Sequence, residues 1–360
     1  MKRYSFLLTV FVLALSLVPA VAQDNTLTVL CTPQEDWCVA MTQAFQAETG
    51  IETSYVRLSS GESLARIRAT QDNPDFSVWW GGPADAFIAG TEEGLLEEYE
   101  SPNLELILPE YRGEGNPWAG VYVGALGFCS NVVLLDELGL EVPDSWEDLL
   151  DPALAGNVAM AHPATSGTAF TAFWTVVTLE ADKLEAEAEG TGYDEEGMPT
   201  EEAIDNAFAY FAQLHQNILQ YTRSGSAPGR LAGGGEVAVA IIFSHDCVKL
   251  QVEGFEGILV NSFPEEGTGY EIGGMAIIAN APEPEAARAW YDWALTAEAQ
   301  AVAPTVNSLQ LPTNPDAPVS PLSVNLADVN LVDYNFVAAG VNRNAIVERF
   351  DAEIAPTPVE

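Results

Sequence analysis

Seven apolar residues follow one another without a break at 237–243. A run of that length with no polar alternation reads as a β-strand covered on both faces. Such strands belong to parallel sheets with helices packed above and below. Ser224, Gly225 and Ser226 precede it, with hydroxyls and small residues where a short helix begins. Pro228 suits the first turn of that helix, and Gly233, Gly234 and Gly235 end it. After the strand come Ser244, His245 and Asp246, at the carboxyl end where open α/β sheets place their ligands.

The same alternation runs through the chain. Further strands are expected at 26–31, 51–57, 75–80, 118–129, 157–160, 257–262 and 272–279. Helical spacing is read at 33–47, from 59 onward, and at 131–138, 145–150, 169–179, 203–217, 284–294 and 344–354. Strand–helix repetition of this kind predicts an α/β fold with mostly parallel pairing. The acidic block 180–202 is expected to be a surface excursion, and the Pro-rich stretch 308–320 irregular chain.

Residues 1–22 read as a cleaved secretory signal peptide. Lys2 and Arg3 precede an apolar run at 6–18, and Ala20-Val21-Ala22 offers a small-x-small cleavage site. The run is too short for a membrane span. No Cys follows at once, so no lipid anchor is expected, and the product should be periplasmic or secreted. The remaining chain exceeds what one hydrophobic core serves, so two domains are expected. In an exported chain the four cysteines point to disulfides. Of the three possible connectivities, Cys31 with Cys38 and Cys129 with Cys247 is the expected one.

The chain carries 13 basic and 53 acidic residues, a net charge of −40. Phosphate-backbone binding needs clustered Lys and Arg, so nucleic acid is excluded as a partner. An anionic membrane surface fits no better. The carboxylates are expected to keep the protein solvated and monomeric.

Three places share one chemical character: Ser59-Ser60-Gly61, Ser166-Gly167-Thr168 and Ser224-Gly225-Ser226. Each sits at an expected helix start, where unpaired N–H groups and the helix dipole favour an anion. One such cluster is an ordinary cap, whereas three together suggest an oxyanion held by dipoles and hydroxyls. Gln34, Glu35, Asp36, His245, Asp246 and Glu271 are suited to sugar hydroxyls. Trp80, followed by Gly81 and Gly82, reads as core packing or as a ligand platform. On a strand, His245 and Asp246 would point to opposite faces, which argues against a catalytic couple. No nucleophile-elbow, zincin or phosphate-loop motif occurs. No enzymatic activity, cofactor or metal is expected.

The segments TVLCTPQEDWC, LSSGESLARIRA, DFSVWWGGPAD, ATSGTAFT, EEGTGYEIGGMAII and ARAWYDWALTAEAQ occur in this order around the opening motif and its SHD. Together they resemble the substrate-binding proteins of ABC importers, in the branch that holds ferric-ion and hexose-phosphate binders. The resemblance implies a two-lobed type II periplasmic-binding-protein fold with ligand in the interlobe cleft, trapped by hinge closure. One lobe would be 24–120 plus 268–360 and the other 121–267. The partner would be an ABC permease in the inner membrane. Ferric-ion binders carry consecutive tyrosines where this chain has Ser244, His245 and Asp246. The hexose-phosphate binders look more similar. In them a His, an Asp and a Glu, matching His245, Asp246 and Glu271, contact the sugar, and Ser/Thr/Gly helix starts hold the phosphate. The expected function is therefore a receptor for an anionic small molecule, a hexose phosphate first. A ferric-ion or phosphonate receptor of the same fold is the alternative, and a secreted phosphate-ester hydrolase the alternative of another class.

Overall fold

The computed structural model describes residues 25–358; the signal peptide read at 1–22 lies outside them. The chain opens with β1 (Thr26–Cys31), α1 (Glu35–Thr49), β2 (Glu52–Arg57), α2 (Ser60–Ala69), β3 (Val78–Pro83), α3 (Ala84–Glu92) and the short β4 (Leu96–Glu97). Next come β5 (Ala119–Asn131), α4 (Val132–Leu138), β6 (Val158–Ala161), α5 (Gly167–Glu187), α6 (Glu201–Leu214), β7 (Ile218–Thr222) and α7 (Ala227–Gly234). Then follow β8 (Val239–Phe243), α8 (Ser244–Leu250), β9 (Leu259–Ser262), β10 (Tyr270–Ile278), α9 (Pro284–Ala294), α10 (Ala297–Gln300), β11 (Leu311–Pro312) and α11 (Phe336–Glu353).

The fold is mixed α/β, as the alternation predicts. The strands join into one sheet in the order β2-β1-β3-β10-β5-β8-β6-β7, with β4 beside β10 and both β9 and β11 beside β5. The pairing is not mostly parallel, however. The outer pairs β1–β2, β1–β3, β6–β7 and β6–β8 are parallel, and every pair made by β5 or β10 is antiparallel. β9 and β10 are not paired with each other; joined by a short loop, both run antiparallel to β5, β9 along 128–131 and β10 along 119–125.

β5 ties the halves of the sheet together. Its residues 119–125 pair with β10, and 126–130 pair with β8. Apolar side chains fill the space on either side. Phe128, Trp146, Phe173 and Phe211 form one core, while Trp37, Trp80, Trp290 and Tyr291 form another. α11 touches both halves. Its Gly340 fits against Ile88 of α3, and its Phe350 lies with rings 6.1 Å from Phe173 and from Phe211.

Both disulfides are formed, Cys31 with Cys38 and Cys129 with Cys247, at Cα separations of 6.1 and 5.6 Å. The first joins the end of β1 to the first turn of α1. The second joins β5 to the first turn of α8. Several elements differ from expectation, among them the helices α3, α8 and α10, which the helical spacing does not mark. α5 runs eight residues past 179 to Glu187, because Ala181, Lys183, Leu184 and Glu185 are good helix formers. α11 begins at Phe336, capped by the Asn335 side chain accepting from the Ala338 N–H. β7, which carries no unbroken apolar run, pairs with β6.

Candidate functional site

β8 stops at Phe243, and Ser244-His245-Asp246 form the first turn of α8 rather than a polar strand exit. The helical rise brings His245 and Asp246 to the same cavity, which extended backbone would have prevented. That cavity is lined by Thr32, Pro33 and Gln34, by Arg57, Ser59 and Ser60, and by Gly82, Pro83 and Tyr122. Its other walls are Ser166-Gly167-Thr168, Ser224-Gly225-Ser226, Phe243, His245, Asp246, Glu271 and Gln310. The room for the centres of water-sized molecules is about 60 Å³, so the space suits a small polar solute and no macromolecule.

Close backbone approach shapes it. Gly82 has φ +99°, and a Cβ there would stand 2.9 Å from that of Ser60. The Gly82 N–H donates to the Tyr122 hydroxyl at 2.9 Å. On the other side a Cβ on Gly124 would meet His245 Nδ1 at 2.6 Å, so β5 needs glycine where the imidazole lies.

The hydroxyl clusters meet one another. The Gly167 N–H donates to Ser60 Oγ at 2.7 Å, and Arg57 Nη2 donates to Ser224 Oγ at 3.2 Å. Ser224 Oγ and Ser226 Oγ are 3.3 Å apart. Gly61 behaves differently from its two neighbours. Its N–H donates to the Thr165 carbonyl at 2.9 Å and a Cβ would strike the Ala164 carbonyl oxygen, so it is a packing contact and lines nothing.

The same cavity is lined by buried polar side chains. His245 Nε2 lies 3.7 Å from Glu271 Oε1 and 3.9 Å from Asp246 Oδ1, and its Nδ1 has no partner in the protein. The Gln34 amide donates to Asp246. Burial governs all three ionisable groups. It pushes His245 down to about 3 and Asp246 up to about 7, Lys249 and Arg57 pulling Asp246 back in part. Burial, then the Asp246 charge, holds Glu271 well above the usual carboxylate range. Near neutral pH, His245 is therefore uncharged, and burial disfavours the charged form of Glu271. Such groups hydrogen-bond hydroxyls without repelling an anion nearby.

Three residues expected near a sugar lie elsewhere. Trp80 is only 1% exposed and packs edge-on against Trp37 and Trp290 at 4.9 and 6.1 Å, so it belongs to the core. The fully covered β3 carries bulky side chains on both faces, and the sequence does not distinguish them. Glu35 accepts from the Tyr55 hydroxyl on an exposed surface. Asp36 pairs with Lys249 outside the cavity. Arg57, Tyr122 and Gln310, by contrast, line the space without being among the residues expected there.

The surroundings of the hydroxyl clusters are not made of dipoles and hydroxyls alone. Arg57 lines the cavity, Arg230 and Lys249 share a small enclosed space with Asp246, and Arg223 pairs with Glu62 beside it. In a chain of net charge −40 this gathering is selective. Arg57 had a legible signal, standing at the carboxyl end of β2 directly before Leu58-Ser59-Ser60. Tyr122 and Gln310 had none. Among the described residues no group of three or more His, Cys, Asp or Glu is arranged to hold a metal ion.

Residues 40–328 match the family described as bacterial extracellular solute-binding protein. A Haemophilus influenzae protein of uncharacterised function (strain ATCC 51907 / DSM 11121 / KW20 / Rd) is 34% identical over 336 residues, covering 91% of this chain and 90% of that protein. Among solved structures, the periplasmic binding protein AfuA from Actinobacillus pleuropneumoniae, with exogenous fructose-6-phosphate bound, is 36% identical. It superposes with a TM-score of 0.82, over 91% of this chain and 98% of that one. The periplasmic binding protein P5PA is 30% identical with a TM-score of 0.79, over 91% and 99% of the two chains.

Proposed function

Because this chain belongs to the family of bacterial extracellular solute-binding proteins, the receptor components that hand solutes to ABC permeases, we propose that its ligand is a hexose phosphate. The observation that carries this reading is the division of one cavity into two chemistries. Arg57 and the hydroxyls of Ser59, Ser60, Ser166, Thr168, Ser224 and Ser226 form one set, linked by the Gly167–Ser60, Arg57–Ser224 and Ser224–Ser226 contacts. These suit a phosphate, which is bound well by charge-assisted hydrogen bonds and helix N-termini. Gln34, His245, Asp246 and Glu271 form the second, lying near one another, and suit sugar hydroxyls. The fructose-6-phosphate bound by AfuA at 36% identity supports the same reading.

The two lobes in this reading are 24–120 plus 268–360 and 121–267. The lining residues come from both, with Tyr122 and Glu271 on the two crossing strands β5 and β10. Ligand would enter when the lobes part and be held when they close. The protein would act as a monomer and return its ligand chemically unchanged. His245 and Asp246, at 3.9 Å, lack the hydrogen bond that orients a hydrolytic couple. Ferric ion needs several anionic oxygens about one point. Here burial raises both the Tyr122 phenol and the Glu271 carboxyl well above their ordinary ranges, which disfavours the anionic forms iron needs.

Titration calorimetry with glucose 6-phosphate, fructose 6-phosphate, glucose, inorganic phosphate and ferric citrate tests the assignment. Tight binding of a sugar phosphate is expected, with glucose and phosphate each weaker. Asp246→Asn should weaken the sugar phosphate far more than inorganic phosphate, because unmatched hydroxyl partners are what the substitution creates. Tight iron binding with no response to any sugar phosphate would sink the reading.

A further inference from the structure

Lys249 is only 4% exposed, and its ammonium is committed on three sides. It donates to the Asp36 carboxylate and to the Val306 carbonyl at 2.9 Å, and lies 3.4 Å from Glu253 Oε1. Burying an ammonium costs several kcal/mol unless its partners are well placed, so a lysine in this position has a definite geometric role. It sits on α8 three residues after Asp246, and Asp36 sits on α1 two residues after Gln34. Gln34 itself donates to Asp246. The beginnings of α1 and α8 are thus joined twice, by Gln34 to Asp246 at the cavity and by Asp36 to Lys249 just outside it. Each turn is braced from behind by a disulfide, through Cys38 on α1 and Cys247 on α8. Lys249 and Asp36 are not part of the cavity wall, although Lys249 shares a small enclosed space with Gln34, Ser226 and Asp246.

We propose that Lys249 is a positioning residue whose pairing with Asp36 locks Asp246 against Gln34 and holds the cavity shut over its ligand. The proposal rests on the reading that this cavity is the ligand site. In that reading α1 and α8 belong to different lobes, so the joint must open before ligand leaves. Its loss therefore appears in the dissociation rate. Association, which proceeds through the open form, is little changed.

The test is stopped-flow release of glucose 6-phosphate, together with hydrogen exchange of the ligand-free protein. Asp36→Asn and Lys249→Met should each raise the dissociation rate about tenfold. The double variant should be no faster than either single one, because both remove the same joint. Lys249→Arg should restore most of the slow release, which a merely packing role would not predict. Amides at 245–249 should exchange faster in both single variants even without ligand. Asp36 is half-exposed, so Asp36→Asn keeps the test open if Lys249→Met fails to fold. Unchanged release in Asp36→Asn, or additive effects in the double variant, overturns the proposal. If the native protein binds no sugar phosphate, the functional reading fails separately. The exchange readout then still decides the positioning role, which unchanged protection at 245–249 overturns.

Discussion

The hydroxyl of Thr168 occupies the space that a side chain on Gly225 would need. A Cβ at Gly225 would stand 2.1 Å from Thr168 Oγ1 and 2.8 Å from Ser166 Oγ. The absence of that one carbon lets the segment before α7 lie directly on the start of α5. Two hydroxyl clusters 58 residues apart (166 to 224) thereby share one wall. Gly225→Ala should push them apart. We expect an overpacking cost of about 1–3 kcal/mol in urea unfolding, and loss of sugar-phosphate binding by more than about tenfold in calorimetry. Native-like affinity in Gly225→Ala would mean that the two clusters do not act on one ligand.

The buried carboxyls and the buried imidazole should pull stability in opposite directions as pH changes. Asp246 is raised from 3.8 to about 7, so the native state keeps a proton that the unfolded chain has released. Its stabilising contribution is full below about pH 4 and is lost as pH rises through 7. His245 is lowered from 6.5 to about 3, so it contributes above pH 6.5 and loses that contribution as pH falls toward 3. In thermal unfolding of ligand-free protein, the advantage of the native chain over Asp246→Asn should therefore shrink from pH 4 to pH 7. Its advantage over His245→Gln should grow across the same window. Parallel curves in both comparisons would refute the buried, shifted state of these groups.

The two disulfides should contribute unequally. Cys129–Cys247 closes a separation of 118 residues and Cys31–Cys38 one of 7. On loop-closure entropy alone these correspond to about 5 and about 2.4 kcal/mol. Replacing Cys129 and Cys247 together by Ala should accordingly lower the urea midpoint roughly twice as far as replacing Cys31 and Cys38. An equal or reversed order would show that strain or denatured-state structure outweighs the entropic term.

Arg343 of α11 pairs with Asp85 at the start of α3, with exposures of 2% and 0%. It also donates to the Pro163 carbonyl at 3.2 Å and covers the Phe170 ring at 4.4 Å. Arg343→Met leaves the Asp85 carboxyl buried alone and should cost about 3–5 kcal/mol. Asp85→Leu added to it should recover most of that loss. Failure of the second change to rescue the first would assign the cost to lost packing on Phe170.

Much of the frame is legible in local pattern. The apolar run behind β8, the glycine stop of α7 and the hydroxyl clusters are all neighbours-in-sequence effects, and the structure places them as the pattern implies. The facing of Trp80 is not legible, because a strand buried on both sides carries no alternation to read. The position of His245 and Asp246 at the carboxyl end of β8 is legible, but their shared direction depends on α8 starting one residue after β8 ends. Tyr122 and Gln310 reach the cavity only through pairing of β5 with β10 and β11. Partners so far apart in sequence leave no local trace. Lys249 looks like an ordinary surface residue until α1 is packed against it.

The place of β10 between β3 and β5 sets an order on how this chain can be made. β1, β2 and β3 are complete by residue 83, yet the strand that covers the open side of β3 is synthesised only at 270–278. Until then the fully apolar edge Val78–Pro83 has no neighbour on that side. An unpaired apolar edge is a template for pairing with another chain. A fragment ending before residue 270 leaves that edge bare and should aggregate rather than fold, so the strand order makes β10 the closing piece of this half of the sheet.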